Sequence, residues 1–414
     1  MISGRDIIFI SSIEWNSSWQ IHQEMALQFA QAGNRVLYIE NTGIRSPSLN
    51  DTRRIALRLQ HWAKSLSSHG VREVTPNIFV TSPLVMPPFG HPWRRFVNQR
   101  LLLPTVKRIA NKMGIRDPLL WTYLPTDTAV DLLRQLSTPS SFVTYYCVAD
   151  FSHLTPHIGQ LRQSEEATLR LSDLVLTTCS QLAEHCKNGN DNVHIIPAIV
   201  DMDMFPMQET NTSDQTPCSP QVASPGSADN SFLSSLPCPV IGYVGGLHRF
   251  VDYSLLIEMV RARPHWSWVF VGAITTGVGE LAKLPNAHLL GQRPHQDLAH
   301  YIRQFDVCLI PYVNNPATAT VVPVKLNEYL AVGKPVVSTE LPTVCDFNKQ
   351  HKILITAANC PDSFLRGIEQ ALQLPNDEKT RMRRREVAAL GERRACFNAI
   401  SNLIQTTALE KAST

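Results

Sequence analysis

Short apolar segments alternate with longer helical segments along the chain, and this alternation restricts the fold more than any other feature. Near the start, residues 6–11 predict a strand, residues 20–32 predict a helix that Gly33 ends, and residues 35–40 predict the next strand. This order is typical of a βαβ unit, whose two strands are parallel. The first loop lacks the GxGxxG pattern, so it does not indicate a Rossmann dinucleotide site.

The same alternation returns in the second half of the chain. Residues 239–247 predict a strand and a Gly-Gly turn, and further strands are predicted at 266–272, 287–291 and 306–311. Strands separated by helices at this spacing predict a second doubly wound sheet. Residues 206–238 are rich in Ser, Pro, Asn, Asp and Gly, which is typical of a flexible linker or insertion. A chain of 414 residues is long enough for two domains.

Residues 323–337 combine a short helix, a stop and a buried strand. Pro323 suits the first turn of a helix, where its missing N–H has no partner to lose. Gly333 suits the left-handed position that ends many helices. The apolar run 335–339 then predicts a strand.

Lys325 and Glu328 are three residues apart, so the spacing places them on one face of this helix. The preceding loop, residues 314–322, carries no charged side chain. Its backbone N–H groups would lie beside the positive end of the helix dipole, which suits a phosphate. The alternative is a surface helix with an ion pair between the two side chains, which contributes about 0.2–0.5 kcal/mol.

This stretch resembles the donor-binding segment of retaining GT-B glycosyltransferases, the large bacterial polysaccharide-type group, and in particular its teichuronic-acid and exopolysaccharide branch. The shared pattern is a Glu on the helix, a small residue, Gly, any residue, Pro and an apolar strand. The resemblance implies that Glu328 binds the ribose hydroxyls of the donor. Many relatives carry an earlier Glu that contacts the donor sugar, and Thr320 stands there in this chain. Some branches with a Pro-x-Lys helix start also lack it.

The resemblance also implies where the diphosphate of the donor would bind. Backbone amides of the Gly-Gly turn and nearby basic residues contact it in the family, and Gly245, Gly246, Arg249 and Lys325 match those positions. The alternative for the Gly-Gly turn is a plain connection between a strand and a helix. The predicted donor-binding residues are Gly245, Gly246, Arg249, Thr320, Val321, Val322, Lys325 and Glu328.

We therefore predict an α/β protein of the GT-B class, with two doubly wound Rossmann-like domains facing a central cleft. Residues 1–205 would form an acceptor-side domain, 206–238 the linker and 239–376 the donor domain. The helical segment 377–414 would cross back to the first domain, as the last helix does in this class.

The loop after the first strand faces the cleft in the family, so Trp15, Trp19, Gln20 and His22 are acceptor-side candidates. The alternative for the tryptophans is packing. Asp150 follows a predicted strand, and ligands of open α/β sheets bind at the carboxyl ends of strands. We predict catalytic roles for Asp150, Lys325 and Arg249, although Asp150 could equally cap the helix that follows it.

Residues 45–112 interleave basic side chains with large apolar ones. Helices of this kind bind anionic membrane surfaces, and the alternative is a solvated helix face. No apolar run approaches the roughly 18 residues of a membrane-spanning helix. Nine cysteines without a metal-like spacing predict reduced thiols in a cytoplasmic protein, with peripheral attachment to the inner face of the membrane as a further expectation.

The predicted reaction transfers a sugar from a nucleotide-diphosphate sugar to a polysaccharide or lipid-linked acceptor, with retention of configuration. A net charge of +3 does not indicate nucleic acid, and neither a cofactor nor a metal is expected. Two alternatives stay open. One is a sugar-nucleotide epimerase of the same fold, and the other is a non-catalytic assembly partner.

Overall fold

The computed structural model describes residues 1–17, 19–40, 70–207 and 227–413. Two compact units are present. Unit 1 consists of residues 1–196 and 394–414, and unit 2 of residues 197–393.

Unit 1 is built on one sheet of eight strands. They are β1 Asp6–Ile10, β2 Arg35–Ile39, β3 Arg72–Thr75, β4 Ile78–Thr81, β5 Leu119–Thr122, β6 Phe142–Cys147, β7 Leu174–Thr177 and β8 Val193–Ile195. The strand order is β3-β4-β2-β1-β5-β6-β7-β8. Every neighbouring pair is parallel except β3 and β4, which are antiparallel. The chain changes direction across the sheet between β1 and β5, which is where ligands of such sheets bind.

Helices connect the strands of unit 1. They are α1 Ile21–Gln31, α2 Pro92–Val97, α3 Leu103–Lys112, α4 Asp127–Leu136, α5 Ile158–Leu171 and α6 Ser180–Lys187. A π-helical turn, Asn98–Leu102, joins α2 to α3, and a 3-10 helix, Phe151–Leu154, precedes α5. In α3, Val106, Ile109 and Ala110 recur at helical spacing and are buried. This pattern leaves the basic side chains of α3 on the opposite face.

Unit 2 contains a six-stranded sheet. Its strands are β9 Val240–Val244, β10 Ser267–Val271, β11 Ala287–Gly291, β12 Val307–Ile310, β13 Val336–Thr339 and β14 Ile355–Ala357. All neighbours are parallel, in the order β11-β10-β9-β12-β13-β14. This is the doubly wound order, and its switch point lies between β9 and β12.

Helices connect the strands of unit 2. They are α7 Ser227–Ser235, α8 Tyr253–Ala262, α9 Leu298–Arg303, α10 Val324–Ala331, α11 Pro342–His351, α12 Pro361–Gln373 and α13 Glu378–Ala389. Short 3-10 helices occur at Leu281–Lys283, His295–Asp297 and Pro316–Thr318. The two sheets, which are parallel apart from the β3–β4 pair, confirm the predicted α/β architecture.

Residues 227–235, within the predicted linker, form helix α7, and Leu233 of this helix is buried in the core of unit 2. Residues 208–226 lie outside the described residues. The few apolar side chains of this polar segment give little local signal, because their burial depends on the surface that they meet.

The C-terminal segment is divided between the two units. Helix α13 belongs to unit 2, where Arg384 donates to the carbonyl of Gly333 and Arg385 to that of Ala331. These carbonyls end α10 and have no partner within that helix. The last helix, α14, spans Arg393–Ser413, and residues from 394 onward belong to unit 1. In the part of the chain that the structure describes, no helix combines the length and apolar character needed to cross a bilayer.

Candidate functional site

Lys325 lies at the switch point of unit 2. Its side chain extends from the first turn of α10, and the residue is only 8% exposed. The ammonium nitrogen donates to the hydroxyl of Tyr243, at 2.7 Å, and to that of Tyr312, at 3.0 Å. Tyr243 belongs to β9 and Tyr312 follows β12, so the ammonium bridges the two strands that flank the switch point.

The phenol of Tyr243 holds the lysine without neutralising it. Its hydroxyl donates to the carbonyl of Gly246, at 2.9 Å, while it accepts from Lys325. Burial raises the pKa of Tyr243 well above its usual value, so the group stays a neutral phenol. No carboxylate of the described residues makes an ion pair with Lys325. A buried cation that contacts only neutral groups destabilises the folded protein until an anion binds beside it.

The Gly-Gly turn after β9 fits closely around this ammonium group. Gly245 has φ of +132°, and a Cβ atom there would lie 2.4 Å from the nitrogen of Lys325. The backbone conformation disfavours a side chain there, and a Cβ atom would displace the ammonium group of Lys325. A Cβ on Gly246 would lie no closer than 3.5 Å to a neighbouring atom, the Cδ2 of His248. The two glycines thus differ, because only Gly245 is required by the fold.

Glu328 is paired with His295 and not with Lys325. One carboxylate oxygen lies 3.1 Å from the Nε2 of His295, and Glu328 is only 9% exposed. The surface ion pair considered from the spacing is therefore absent. Three residues along a helix place both side chains near one face, but each finds its own partner in the tertiary structure.

The loop before α10 contains the other predicted donor residues. Thr320, Val321 and Val322 are partly exposed. Thr343 donates its hydroxyl to the carbonyl of Val321, at 2.5 Å, and so ties the loop to α11. The preceding 3-10 helix is capped by Asn315, whose side chain accepts from two backbone amides.

The segment after the Gly-Gly turn contains His248 and Arg249. Arg249 is exposed, and its guanidinium lies 5.0 Å from the ring centroid of Phe250. The Nδ1 of His248 accepts from the backbone N–H of Phe250, at 3.2 Å. Burial, followed by the charges of Lys325 and Arg249, lowers the pKa of His248 to about 4. Sequence reasoning did not select His248, although its position two residues after Gly246 was a usable signal.

The acceptor-side candidates of unit 1 separate into buried and exposed side chains. His22 is buried beside the end of β1, where its Nδ1 lies 2.7 Å from the hydroxyl of Ser11. Its ring stacks on Tyr123 with centroids 3.7 Å apart. Burial lowers the pKa of His22 to about 3. His22 therefore occupies the switch point of unit 1 as a neutral side chain.

Trp15, Trp19 and Gln20 lie before α1. Trp15 packs edge-on against Trp19 and against Tyr38, with ring centroids 6.1 and 5.3 Å apart. Trp19 donates its indole N–H to Glu24, at 2.9 Å, and remains exposed. Gln20 is exposed at the N-cap of α1. Packing therefore explains much of the position of Trp15, whereas the side chains of Trp19 and Gln20 are exposed to solvent.

Asp150 caps the 3-10 helix that follows β6. Its Oδ1 accepts from the backbone N–H of Ser152, at 2.9 Å, and its Oδ2 lies 3.6 Å from the Nε2 of His153. The sequence had allowed either a capping role or a catalytic role for Asp150, and this arrangement is the capping one.

Comparison with known proteins shows a family match within unit 2. A family model described as Glycosyl transferases group 1 matches residues 238–374. These residues form a glycosyltransferase domain. The domain contains the Gly-Gly turn, Lys325 and Glu328, so the predicted donor residues all lie within it.

A curated relative shares part of the sequence. It is the putative teichuronic acid biosynthesis glycosyltransferase TuaH of Bacillus subtilis (strain 168), 28% identical over 216 residues. The match covers 51% of this chain and 50% of the relative, so it spans about half the length of each.

Solved glycosyltransferase structures share the fold over nearly the whole chain. Sucrose-phosphate synthase from Thermosynechococcus elongatus has a TM-score of 0.68 at 16% identity, covering 97% of this chain and 98% of that one. HepE from Anabaena, solved in complex with UDP, has a TM-score of 0.68 at 12% identity, covering 97% and 100%. The chain has the GT-B fold, with a glycosyltransferase domain as its second Rossmann-like unit.

Proposed function

We propose that the whole chain is a glycosyltransferase that moves a sugar from a nucleotide-diphosphate sugar to a polysaccharide or lipid-linked acceptor, with retention of configuration. The observation that carries this proposal is the buried ammonium of Lys325, held by Tyr243 and Tyr312 without a carboxylate partner among the described residues. A diphosphate supplies the charge that this group lacks.

The donor fits the switch point of unit 2 in a defined orientation. The diphosphate would contact the backbone of Gly245 and Gly246, with Lys325 beneath it and Arg249 at the exposed edge. The ribose hydroxyls would bind Glu328, whose other neighbour is His295. HepE, which shares the fold, was solved with UDP, and a uridine diphosphate sugar is therefore the first donor to test.

The chemistry of transfer requires stabilisation of the departing diphosphate. Negative charge grows on it as the glycosidic bond breaks, and preorganised cations and amide dipoles stabilise such charge. Lys325 and the N-terminus of α10 supply fixed positive charge at that place. Asp150 of unit 1 would serve as the acceptor-side carboxylate, together with Trp15, Trp19, Gln20 and His22.

The acceptor belongs to cell-surface polysaccharide synthesis in this proposal. The partial match to a teichuronic acid transferase supports a polysaccharide acceptor. The helical segment 92–112 exposes Trp93, Phe96 and Leu101, each more than half accessible, beside Arg100. Apolar and cationic side chains on one exposed segment suit an anionic membrane surface.

A screen of ligands and a turnover assay test this function. Thermal unfolding is followed with UDP, GDP, ADP and their sugar conjugates, because a ligand at 100 times its Kd adds about 2.7 kcal/mol of stability. We expect stabilisation by one nucleoside diphosphate and release of that nucleotide only with an acceptor. Epimerised donor without acceptor would indicate an epimerase, and binding without any turnover would indicate a non-catalytic partner.

A further inference from the structure

We propose that His248 is a further donor-site residue, whose Nε2–H donates to the diphosphate beside Lys325. This inference rests on the proposed function and adds a contact that the sequence motifs do not contain. His248 follows the Gly-Gly turn and lies within unit 2, so the whole argument stays inside one unit.

The hydrogen bond at Nδ1 decides which ring nitrogen carries the proton. Nδ1 accepts from the backbone N–H of Phe250, at 3.2 Å. An acceptor nitrogen of a neutral imidazole carries no hydrogen, so the hydrogen of His248 is on Nε2. The side chain is therefore held as a hydrogen-bond donor that points away from its own backbone contact.

The surroundings of the ring keep it neutral and leave Nε2 available. Burial and the charges of Lys325 and Arg249 lower the pKa of His248 to about 4. None of the described residues contributes a hydrogen-bond partner to Nε2. A neutral donor can be placed beside a lysine without the repulsion that a second full charge would bring.

The ring of His248 lies beside the Gly-Gly turn and near a hydroxyl partner of Lys325. Its Cδ2, which is bonded to Nε2, lies 3.5 Å from the place where a Cβ of Gly246 would be. The ring centroid lies 5.7 Å from that of Tyr312, whose hydroxyl accepts from Lys325. His248 and Lys325 thus approach one region next to the Gly-Gly turn, and an anion there would accept from both.

Two amide substitutions separate the two ring nitrogens. In His248→Asn the side-chain oxygen can still accept from the N–H of Phe250, but no donor remains at the Nε2 position. In His248→Gln the amide nitrogen reaches the Nε2 position and can donate. We expect His248→Asn to keep the unfolding temperature and to weaken binding of the nucleoside diphosphate about tenfold. We expect His248→Gln to recover most of that affinity.

The probes are UDP, GDP and ADP and the corresponding nucleosides, titrated by calorimetry against wild type and both variants, with the exposed His265→Asn as a control. Because the contact is to phosphate, the loss should appear with the diphosphate and not with the nucleoside. Equal diphosphate affinity in wild type and His248→Asn, or an equal loss for the nucleoside, would overturn the assignment.

The tautomer gives a test that needs no nucleotide. Nitrogen NMR of labelled protein at pH 7 should show His248 protonated at Nε2, and a ring protonated at Nδ1 would refute the inference. If wild type binds no nucleoside diphosphate, the proposed function fails and this contact fails with it. If wild type binds one and His248→Asn binds it equally well, only this contact fails.

Discussion

The ammonium nitrogen of Lys325 lies 2.7 Å from the phenol oxygen of Tyr243, a residue 82 positions away in the sequence. It also lies 3.9 Å from the centroid of the same ring, so the cation is held by the hydroxyl group and by the ring face. The ammonium group lies next to Gly245, whereas the carboxylate of Glu328 contacts His295.

Neutralising Lys325 should reduce turnover more than it reduces donor binding. Charge on the diphosphate increases in the transition state, so a fixed cation there acts mainly on the chemical step. We expect Lys325→Met to lower kcat by about 10²–10³-fold, the range found when one such donor is lost. Arg249→Met should lower kcat less because Arg249 is exposed to solvent. Steady-state kinetics at saturating donor measure both effects.

The double variant tests whether the two cations share one anion. Substitutions of residues that act on the same group have non-additive effects. The ΔΔG‡ of the double variant should therefore differ from the sum of the two single ΔΔG‡ values. Lys349→Met is the matched control, because Lys349 is exposed and pairs with Asp346 on α11. Near-normal kcat in all three site variants would mean that the diphosphate does not bind here.

The two glycines of the turn should respond differently to alanine. In Gly245→Ala the new methyl group would meet the ammonium of Lys325 at 2.4 Å, at a φ of +132°. We expect a loss of about 1–3 kcal/mol in the free energy of unfolding. Gly246→Ala has room in the folded protein, so its unfolding should match wild type, while its methyl group should hinder the proposed diphosphate. Urea unfolding and calorimetric titration of UDP measure the two effects, and equal stability of both variants would contradict this account.

Glu328 should contribute to donor affinity and not to the fold. Glu328→Ala removes charge-assisted hydrogen bonds to the proposed ribose, worth about 1.5–3 kcal/mol, so donor affinity should fall at least tenfold. Glu340→Ala, an exposed position after β13, is the control. His295→Gln should give a smaller loss, because His295 acts by orienting the carboxylate that it contacts. Unchanged affinity in Glu328→Ala would remove Glu328 from the donor site.

His22 should make the protein less stable in acid. Burial lowers its pKa from 6.5 to about 3, so between these values the unfolded state binds a proton that the folded state does not. The free energy of unfolding should therefore fall as pH drops from about 6.5 toward 3, by up to about 1.4 kcal/mol per pH unit from this group. Urea unfolding of wild type and His22→Gln between pH 7 and pH 5 compares the slopes, and identical slopes would exclude this role.

The exposed apolar side chains of the segment 92–112 should matter for membrane binding. Binding to anionic vesicles should weaken as salt screens the basic side chains. The double substitution of Trp93 and Phe96 by serine should weaken the vesicle binding that remains at high salt. Leu409→Ser, at an exposed position of α14, is the matched control for loss of an apolar group. Vesicle sedimentation measures this, and equal binding to neutral and anionic vesicles would contradict the proposal. The basic residues before position 70 lie outside the described residues.

Local sequence was sufficient for most of the elements and for the backbone of the proposed donor site. Gly333 has φ of +85° after α10, as predicted for the glycine that ends this helix. The Gly-Gly turn follows β9, and the alternating strands form two sheets that are parallel apart from the β3–β4 pair. These features depend on interactions between residues near each other in the chain, and apolar periodicity and glycine positions report on those directly.

Only the tertiary structure decided which side chains meet. Their spacing predicted that Lys325 and Glu328 share one face of the helix. In the structure, Lys325 donates to Tyr243 and Tyr312. Glu328 instead contacts His295. His248 gained its low pKa from the burial and charges that the fold supplies. Such partners are contributed by strands and loops far apart in the sequence, and their selection follows from strand order and packing. The sequence of one element by itself therefore carries no record of them.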